Sequence, residues 1–236
     1  MLRNLDLMRA YAAELVGLTP DVILAHSPPG IMAAQRQTRT VPLVFVMVPA
    51  PVEIGLVASL TRPGGNITGL THFETAMAGK WLETLREISP SLSRVAFLLH
   101  QEHPAWSGYA RTIAEAASAL GIAVSPAAAR DTVDIERALA TFAREPKGGL
   151  LVLPDNFTQV HRELIIALAA RYRLPAIYPF RYFPASGGLI SYGVDTIDVF
   201  RRAATYIDRI LRGANPGDLP VQTPVTFELV INLITA

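Results

Sequence analysis

Arg94-Val-Ala-Phe-Leu-Leu-His100, Gly149-Leu-Leu-Val-Leu-Pro-Asp155 and Pro175-Ala-Ile-Tyr-Pro-Phe180 are three short apolar runs whose reading decides the fold. Runs this short and rich in Val, Ile and Leu suit strands buried on both faces, as in parallel sheets. A weaker run covers 122–127, just after Gly121, which is well placed to end the helix expected over 105–120. Asp131 or Thr132 caps the next helix, which carries Ile135, Leu139, Phe142 and Ala143 at helical spacing. A further helix over 158–172 puts Val160, Leu164, Ile165, Leu168 and Ala169 on one face. Residues 94–180 thus alternate strand and helix four times, enough for a complete parallel sheet with right-handed crossovers.

The same pattern extends outward on both sides. Apolar runs at 21–27, 41–48, 66–72 and 189–193 read as strands, and 28–39, 75–88 and 198–212 read as helices. Residues 1–17 read as a helix with no strand before it, so the earlier sheet has only three strands. Extended segments at 69–74 and 189–195 suit passages from one sheet to the other and back. The expected architecture is α/β with two lobes, each a parallel sheet flanked by helices, the first incomplete. Residues 1–72 with 195–219 form lobe one, and 73–194 with 220–236 form lobe two.

Composition narrows the function. In 236 residues there are 21 basic and 20 acidic side chains, a formal charge of +1, and no long run of one sign. That leaves no electrostatic footprint for nucleic acid and no polybasic membrane patch. Without cysteine there are no disulfides, thiolate metal sites or thiol nucleophiles. No apolar run approaches the ~20 residues of a membrane span, and no signal peptide is visible at the start. Phosphate-cradle, serine-hydrolase and zincin motifs are all missing, and Gly64–Gly69 precedes a strand instead of following one.

Ligands of open parallel sheets bind outside the carboxyl ends of the strands. Those ends supply the candidate residues. Ser27, Pro28 and Pro29 open a helix whose first turn can hold an anion, Ser27 serving the ligand or simply capping. Thr71 and His72 end the third strand. Asp155 precedes Asn156-Phe157 at another helix start, where its carboxylate could meet an amine or cap the helix. His100, Trp106, Phe157, Arg181 and Tyr192 complete the set, with Phe180, Tyr182 and Phe183 available to pack a planar ligand or the core. His100 and His103 are too few for a metal centre, and His161 is expected in solvent. No nucleophile–base pair stands at a telling spacing. The residues favour binding over catalysis, with no cofactor and no metal.

Several segments together resemble one family. They are Val41-Pro-Leu-Val-Phe-Val, Gly55-Leu-Val-Ala-Ser-Leu-Thr-Arg-Pro-Gly-Gly-Asn-Ile-Thr-Gly, Leu168-Ala-Ala-Arg, Pro175-Ala-Ile-Tyr-Pro, Gly187-Gly-Leu-Ile-Ser-Tyr-Gly and Asp218-Leu-Pro-Val-Gln with Phe227-Glu-Leu-Val-Ile-Asn-Leu. This set resembles the ABC-transporter substrate-binding proteins of the TrpX/YtrF-like, type I periplasmic binding class. The resemblance implies a two-lobed receptor with a small organic ligand gripped between lobes, a periplasmic location and an ABC permease as partner. Tryptophan or another aromatic amino acid is among the ligands it implies. Two other readings of such a fold are the effector-sensing domain of a regulator and a small-molecule enzyme using Asp155 with His100.

Where the family has Asp-Pro-Val this chain has Ala50-Pro51-Val52, so an acid is missing. Its Asn-Pro-x-Asn-Pro loop corresponds to 100–104, with His100 and His103 replacing amides. Asp155-Asn156-Phe157 and Ser191-Tyr192-Gly193 keep the pattern, and Arg181 stays while a neighbouring acid is lost. The family also carries an export signal and about two strand–helix units before the helix that opens this chain. The run 21–27 is therefore expected at an exposed apolar sheet edge. Self-association through that edge, or a start upstream of Met1, is the expectation.

Overall fold

The computed structural model describes residues 2–72, 77–103 and 106–236, with the side chains of 2–5 not described. The chain separates into two compact units, Met1–Glu74 with Val194–Thr226 and Thr75–Gly193 with Phe227–Ala236.

The first unit begins with helix α1 (Leu2–Gly17), strand β1 (Ile23–His26) and helix α2 (Ser27–Gln37), then strands β2 (Leu43–Val46) and β3 (Ile67–Leu70). The three strands are parallel in the order β1-β2-β3, with Phe45 opposite both Ala25 and Gly69. Both faces of β2 are covered, so all four of its residues are buried, as its unbroken apolar sequence requires. Ile31 of α2, Leu43, Phe45, Ile67 and Val221 belong to one core.

The second unit starts with α3 (Met77–Ile88), β4 (Arg94–His100), α4 (Trp106–Leu120), β5 (Ala123–Ala129) and α5 (Thr132–Phe142). It continues with β6 (Gly148–Val152), α6 (Asn156–Val160), α7 (Arg162–Arg171), β7 (Ala176–Tyr178), the short α8 (Tyr182–Ala185) and β8 (Ile190–Val194). Helix α9 (Thr196–Leu211) returns to the first unit, and strand β9 (Phe227–Ile231) belongs to the second.

The second sheet has six strands in the order β5-β4-β6-β7-β8-β9, parallel from β5 to β8. The Asn232 amide donates to the Leu189 carbonyl and the Asp195 amide to the Thr226 carbonyl, so β9 runs antiparallel to β8. This edge strand has no counterpart in the strands expected from sequence. Its side chains alternate between exposed and half-buried, so the unbroken apolar run that marks the inner strands is missing. Asp131 caps α5 through the Asp134 amide, and Asp195 caps α9 through the Ile197 and Asp198 amides. The expected helix 158–172 is two helices that meet at His161, and the first starts at Asn156 because Asp155 is its cap. The expected helix starts at 75 and 105 lie outside the described residues, which resume at Met77 and Trp106.

Residues 220–226, expected with lobe two, belong instead to the first unit. The reason is backbone pairing. Gln222 bridges Leu70, its amide donates to the Gly69 carbonyl at 3.0 Å, and Thr71 returns a bond to Gln222 at 3.0 Å. Thr68 Oγ1 donates to Leu219 O at 2.6 Å, and Val221 lies in the core. Helix α9 covers this region with Val199, Ala203, Tyr206 and Ile210 at helical spacing, and Tyr206 Oη donates to the Pro220 carbonyl.

Candidate functional site

In the second unit β4 and β6 are neighbours, and their carboxyl ends carry His100 and, three residues past β6, Asp155. The Asp155 carboxylate is fastened by two backbone amides. His100 N donates to Oδ2 at 3.1 Å and Phe157 N donates to Oδ1 at 3.1 Å. One aspartate therefore caps α6 and ties β6 to β4, joining the two roles that its position allows. Thr158, fully buried, donates to the carbonyls of Leu153 and Asp155 and fixes the turn between strand and helix.

The two residues whose amides hold this carboxylate carry aromatic rings that touch each other. His100 meets Phe157 edge-on at 5.2 Å, and Phe157 meets His161 edge-on at 4.8 Å. His161 is thus half-buried against a ring and not the solvated side chain that the sequence suggests. The signal was present, because positions i and i+4 share a helical face. His103 faces Tyr109 at 6.4 Å, and the buried Tyr109 faces Trp81 at 6.3 Å. Burial pulls the His103 imidazole below its ordinary pKa, Asp155 opposes that shift, and His100 reinforces it. Burial, then the Asp155 charge, pushes the Tyr109 phenol upward.

The other candidates of this unit lie in different surroundings. Trp106 opens α4 and packs on Phe97 at 5.2 Å. Arg181 pairs with Glu228 of β9 at 3.1 Å. Tyr192 stacks on Phe227 at 6.1 Å, and its carbonyl accepts the Trp81 indole N–H at 2.6 Å. Arg181 and Tyr192 are both engaged by β9, the strand that sequence patterning did not expose. Phe180 and Phe183 are buried, and Tyr182 and Phe183 stack at 5.2 Å, so these rings pack the interior near β7.

In the first unit Ser27 is buried and starts α2 with φ at 66°. Its neighbour His26 holds the cap position in extended conformation without a side-chain capping bond, and Pro28 and Pro29 follow. The His26 ring lies parallel to Phe200 of α9 at 6.2 Å, and burial lowers its pKa. Thr71 and His72 are buried beyond the end of β3, with Thr71 N fixed to Gln222. Among the described residues no three His, Asp or Glu side chains gather as a metal site. No helix among them is long and apolar enough to cross a membrane.

Parallel sheets flanked by helices in two units, with polar and aromatic groups at the strand ends, define a type I periplasmic-binding-protein-like fold. The conserved domain protein of Vibrio cholerae O1 biovar El Tor shares it with a TM-score of 0.88 at 28% identity, over 98% of this chain and 77% of that one. A Streptococcus pneumoniae ABC domain in complex with L-Trp gives a TM-score of 0.85 at 21% identity, over 96% of this chain and 78% of that one. The family described as ABC transporter substrate binding protein matches residues 2–236, and the chain belongs to it. A tyrosine-binding protein of Clostridioides difficile (strain R20291) is 25% identical over 225 residues, 95% of this chain. The chain spans 64% of the length of that relative.

Proposed function

We propose that this chain is the solute-binding component of an ABC importer and that its ligand is an amino acid with an aromatic side chain. Family membership over residues 2–236 carries the general reading, and the Asp155 carboxylate, held by residues with aromatic rings, carries the choice of ligand. The carboxylate suits an ammonium group, and the Phe157 ring next to it suits a planar side chain. Relatives described as tyrosine-binding and as complexed with L-Trp support the same class. Ser27, Pro28, Thr71 and His72 of the first unit add to the affinity, together with His100, Trp106, Asp155, Phe157, Arg181 and Tyr192 of the second. The protein works outside the cytoplasmic membrane and hands its solute to a permease.

No bond is made or broken in this role. The enzyme alternative needs His100 and Asp155 to act as an acid–base pair, yet Asp155 bonds the His100 backbone amide and not its ring. Isothermal titration calorimetry with L-tyrosine and L-tryptophan tests the proposal. Binding is expected, with Asp155→Ala and Ser27→Ala each weakening it by about tenfold or more. Unchanged affinity in both variants would sink the site assignment, and turnover of either amino acid would sink the receptor role.

A further inference from the structure

Residues 220–226 lead the chain out of the first unit for the last time, and what holds them changes along the way. The Tyr206 hydroxyl donates to the Pro220 carbonyl, and Val221 is buried. Gln222 is held by backbone, donating to the Gly69 carbonyl and accepting from the Thr71 amide, both at 3.0 Å. Beyond it, 223–226 has no regular structure, Val225 is 72% exposed, and Pro224 has no amide hydrogen to give. Among the described residues, two hydrogen bonds hold this stretch. Arg202 donates to the Thr223 carbonyl at 3.3 Å, and the Asp195 amide donates to the Thr226 carbonyl at 3.1 Å.

Both donors belong to one end of α9. Asp195 is its cap, and Arg202 follows two turns later. The other terminal nitrogen of Arg202 donates to the Gln222 side-chain oxygen. A guanidinium is a planar fork of fixed donors, so one side chain engages two neighbouring acceptors at once. Arg202 is half-buried, so water is partly kept from both bonds. A lysine at this position supplies a compact ammonium without the fork, and cannot reproduce the paired geometry.

Gln222 carries this grip to the candidate site. The amide that bonds its carbonyl is that of Thr71, and Thr71 and His72 are buried past the end of β3. Contact therefore runs from α9 through Arg202 to Gln222, and from Gln222 to Thr71. We propose that Arg202 is a positioning residue: it fastens Gln222 and Thr223 to α9, and through Gln222 it holds Thr71 and His72 in place for the solute. The inference rests on the proposed function, in which Thr71 and His72 add to the affinity, and deepens it by naming a residue that acts through them.

The test follows amide hydrogen exchange by NMR in the wild-type 236-residue protein and in Arg202→Lys, which keeps the charge and loses the fork. The amides of Gln222 and Thr71 are read against those of the buried strand β2. In Arg202→Lys, exchange at Gln222 and Thr71 should quicken together by about tenfold while β2 is unchanged. Arg202→Met, which removes both donors, should do at least as much. Quickening at Gln222 without Thr71 makes Arg202 a local contact and overturns the inference. Equal quickening in β2 marks general destabilisation and overturns it too. Calorimetric titration with L-tyrosine and L-tryptophan is the second readout. Arg202→Lys should weaken whichever amino acid binds by about threefold to tenfold. Unchanged affinity overturns the positioning role. If neither amino acid binds the wild type, the proposed function fails, and exchange at Thr71 still decides whether Arg202 holds the end of β3.

Discussion

Gly69 lies opposite Phe45 in the first sheet, and a Cβ there would stand 2.2 Å from the Phe45 carbonyl oxygen and 2.5 Å from its ring. The obstacle is partly backbone in the central strand, so a rotamer change cannot relieve it. Gly69→Ala is expected to cost at least the upper part of the ~1–3 kcal/mol usual for overpacking. Urea unfolding checks this, and an unchanged midpoint would count against the close approach. A second prediction concerns His103, whose half-buried imidazole titrates below its unfolded value of 6.5. The unfolded chain then binds more protons than the folded one as pH falls past 6.5, so stability drops on acidification until the folded group also protonates. His26, lowered by burial too, adds in the same direction. Melting temperature should therefore fall between about pH 7.5 and 5.5, and fall less in His103→Asn. An equal fall in that variant would remove His103 from the account. At this scale the sequence was informative where chemistry is local. Asp155 before Asn156-Phe157 declares a helix start, and its position past an apolar run declares a strand end. What it withheld was the partner. That Asp155 also grips the His100 amide, 55 residues earlier, depends on β4 and β6 being neighbours.

At the scale of elements, β1 is an edge strand. Ile23 and Ala25 are buried, but Leu24 is 42% exposed, and its neighbours on α1 include Tyr11 at 64% and Leu15 at 42%. Met8, Tyr11, Leu15 and Leu24 help line an uncharged groove of about 210 Å³ between α1, β1 and α2. Among the described residues β1 pairs on one side only, and such an edge beside an apolar helix face is a template for pairing, with a second copy or with chain upstream of Met1. A second copy, related by a two-fold axis, would align β1 with β1 and extend three strands to six, each copy using the same patch. Such an interface must bury on the order of 800 Å² per partner, so the α1 stripe has to take part along with the edge. Light scattering is expected to show a mass above the monomer that falls on dilution, and Leu24→Lys should return a monomer. A wild-type protein that is monomeric at every concentration would rule the association out. The parallel strands announced themselves because burial on both faces leaves unbroken runs of Val, Ile and Leu. Strand β9 did not, because its alternating pattern, Phe227, Leu229 and Ile231 exposed against half-buried Glu228 and Val230, belongs to an edge. Arg181 and Tyr192, chosen from their strand-end positions, are held by that strand, so the same gap concealed their surroundings.

At the scale of the whole molecule, the chain passes between its two units at residues 74–75, 193–194 and 226–227, and each unit has a buried core of its own. Phe45, Ile31 and Leu43 anchor one, and Leu98, Leu150 and Trp81 belong to the other. Units with separate cores can unfold separately, so calorimetry reads each in its own right. A solute that Asp155 holds raises the transition of the second unit. With L-tyrosine or L-tryptophan at about a hundred times its dissociation constant, linkage supplies about 2.7 kcal/mol of stabilisation. At ~2–4 °C per kcal/mol, that is an upward shift of roughly 5–11 °C in the transition of the second unit. In Asp155→Ala that transition should stay near its ligand-free position. If it stays there in the wild type as well, Asp155 and the rings beside it are not ligand contacts.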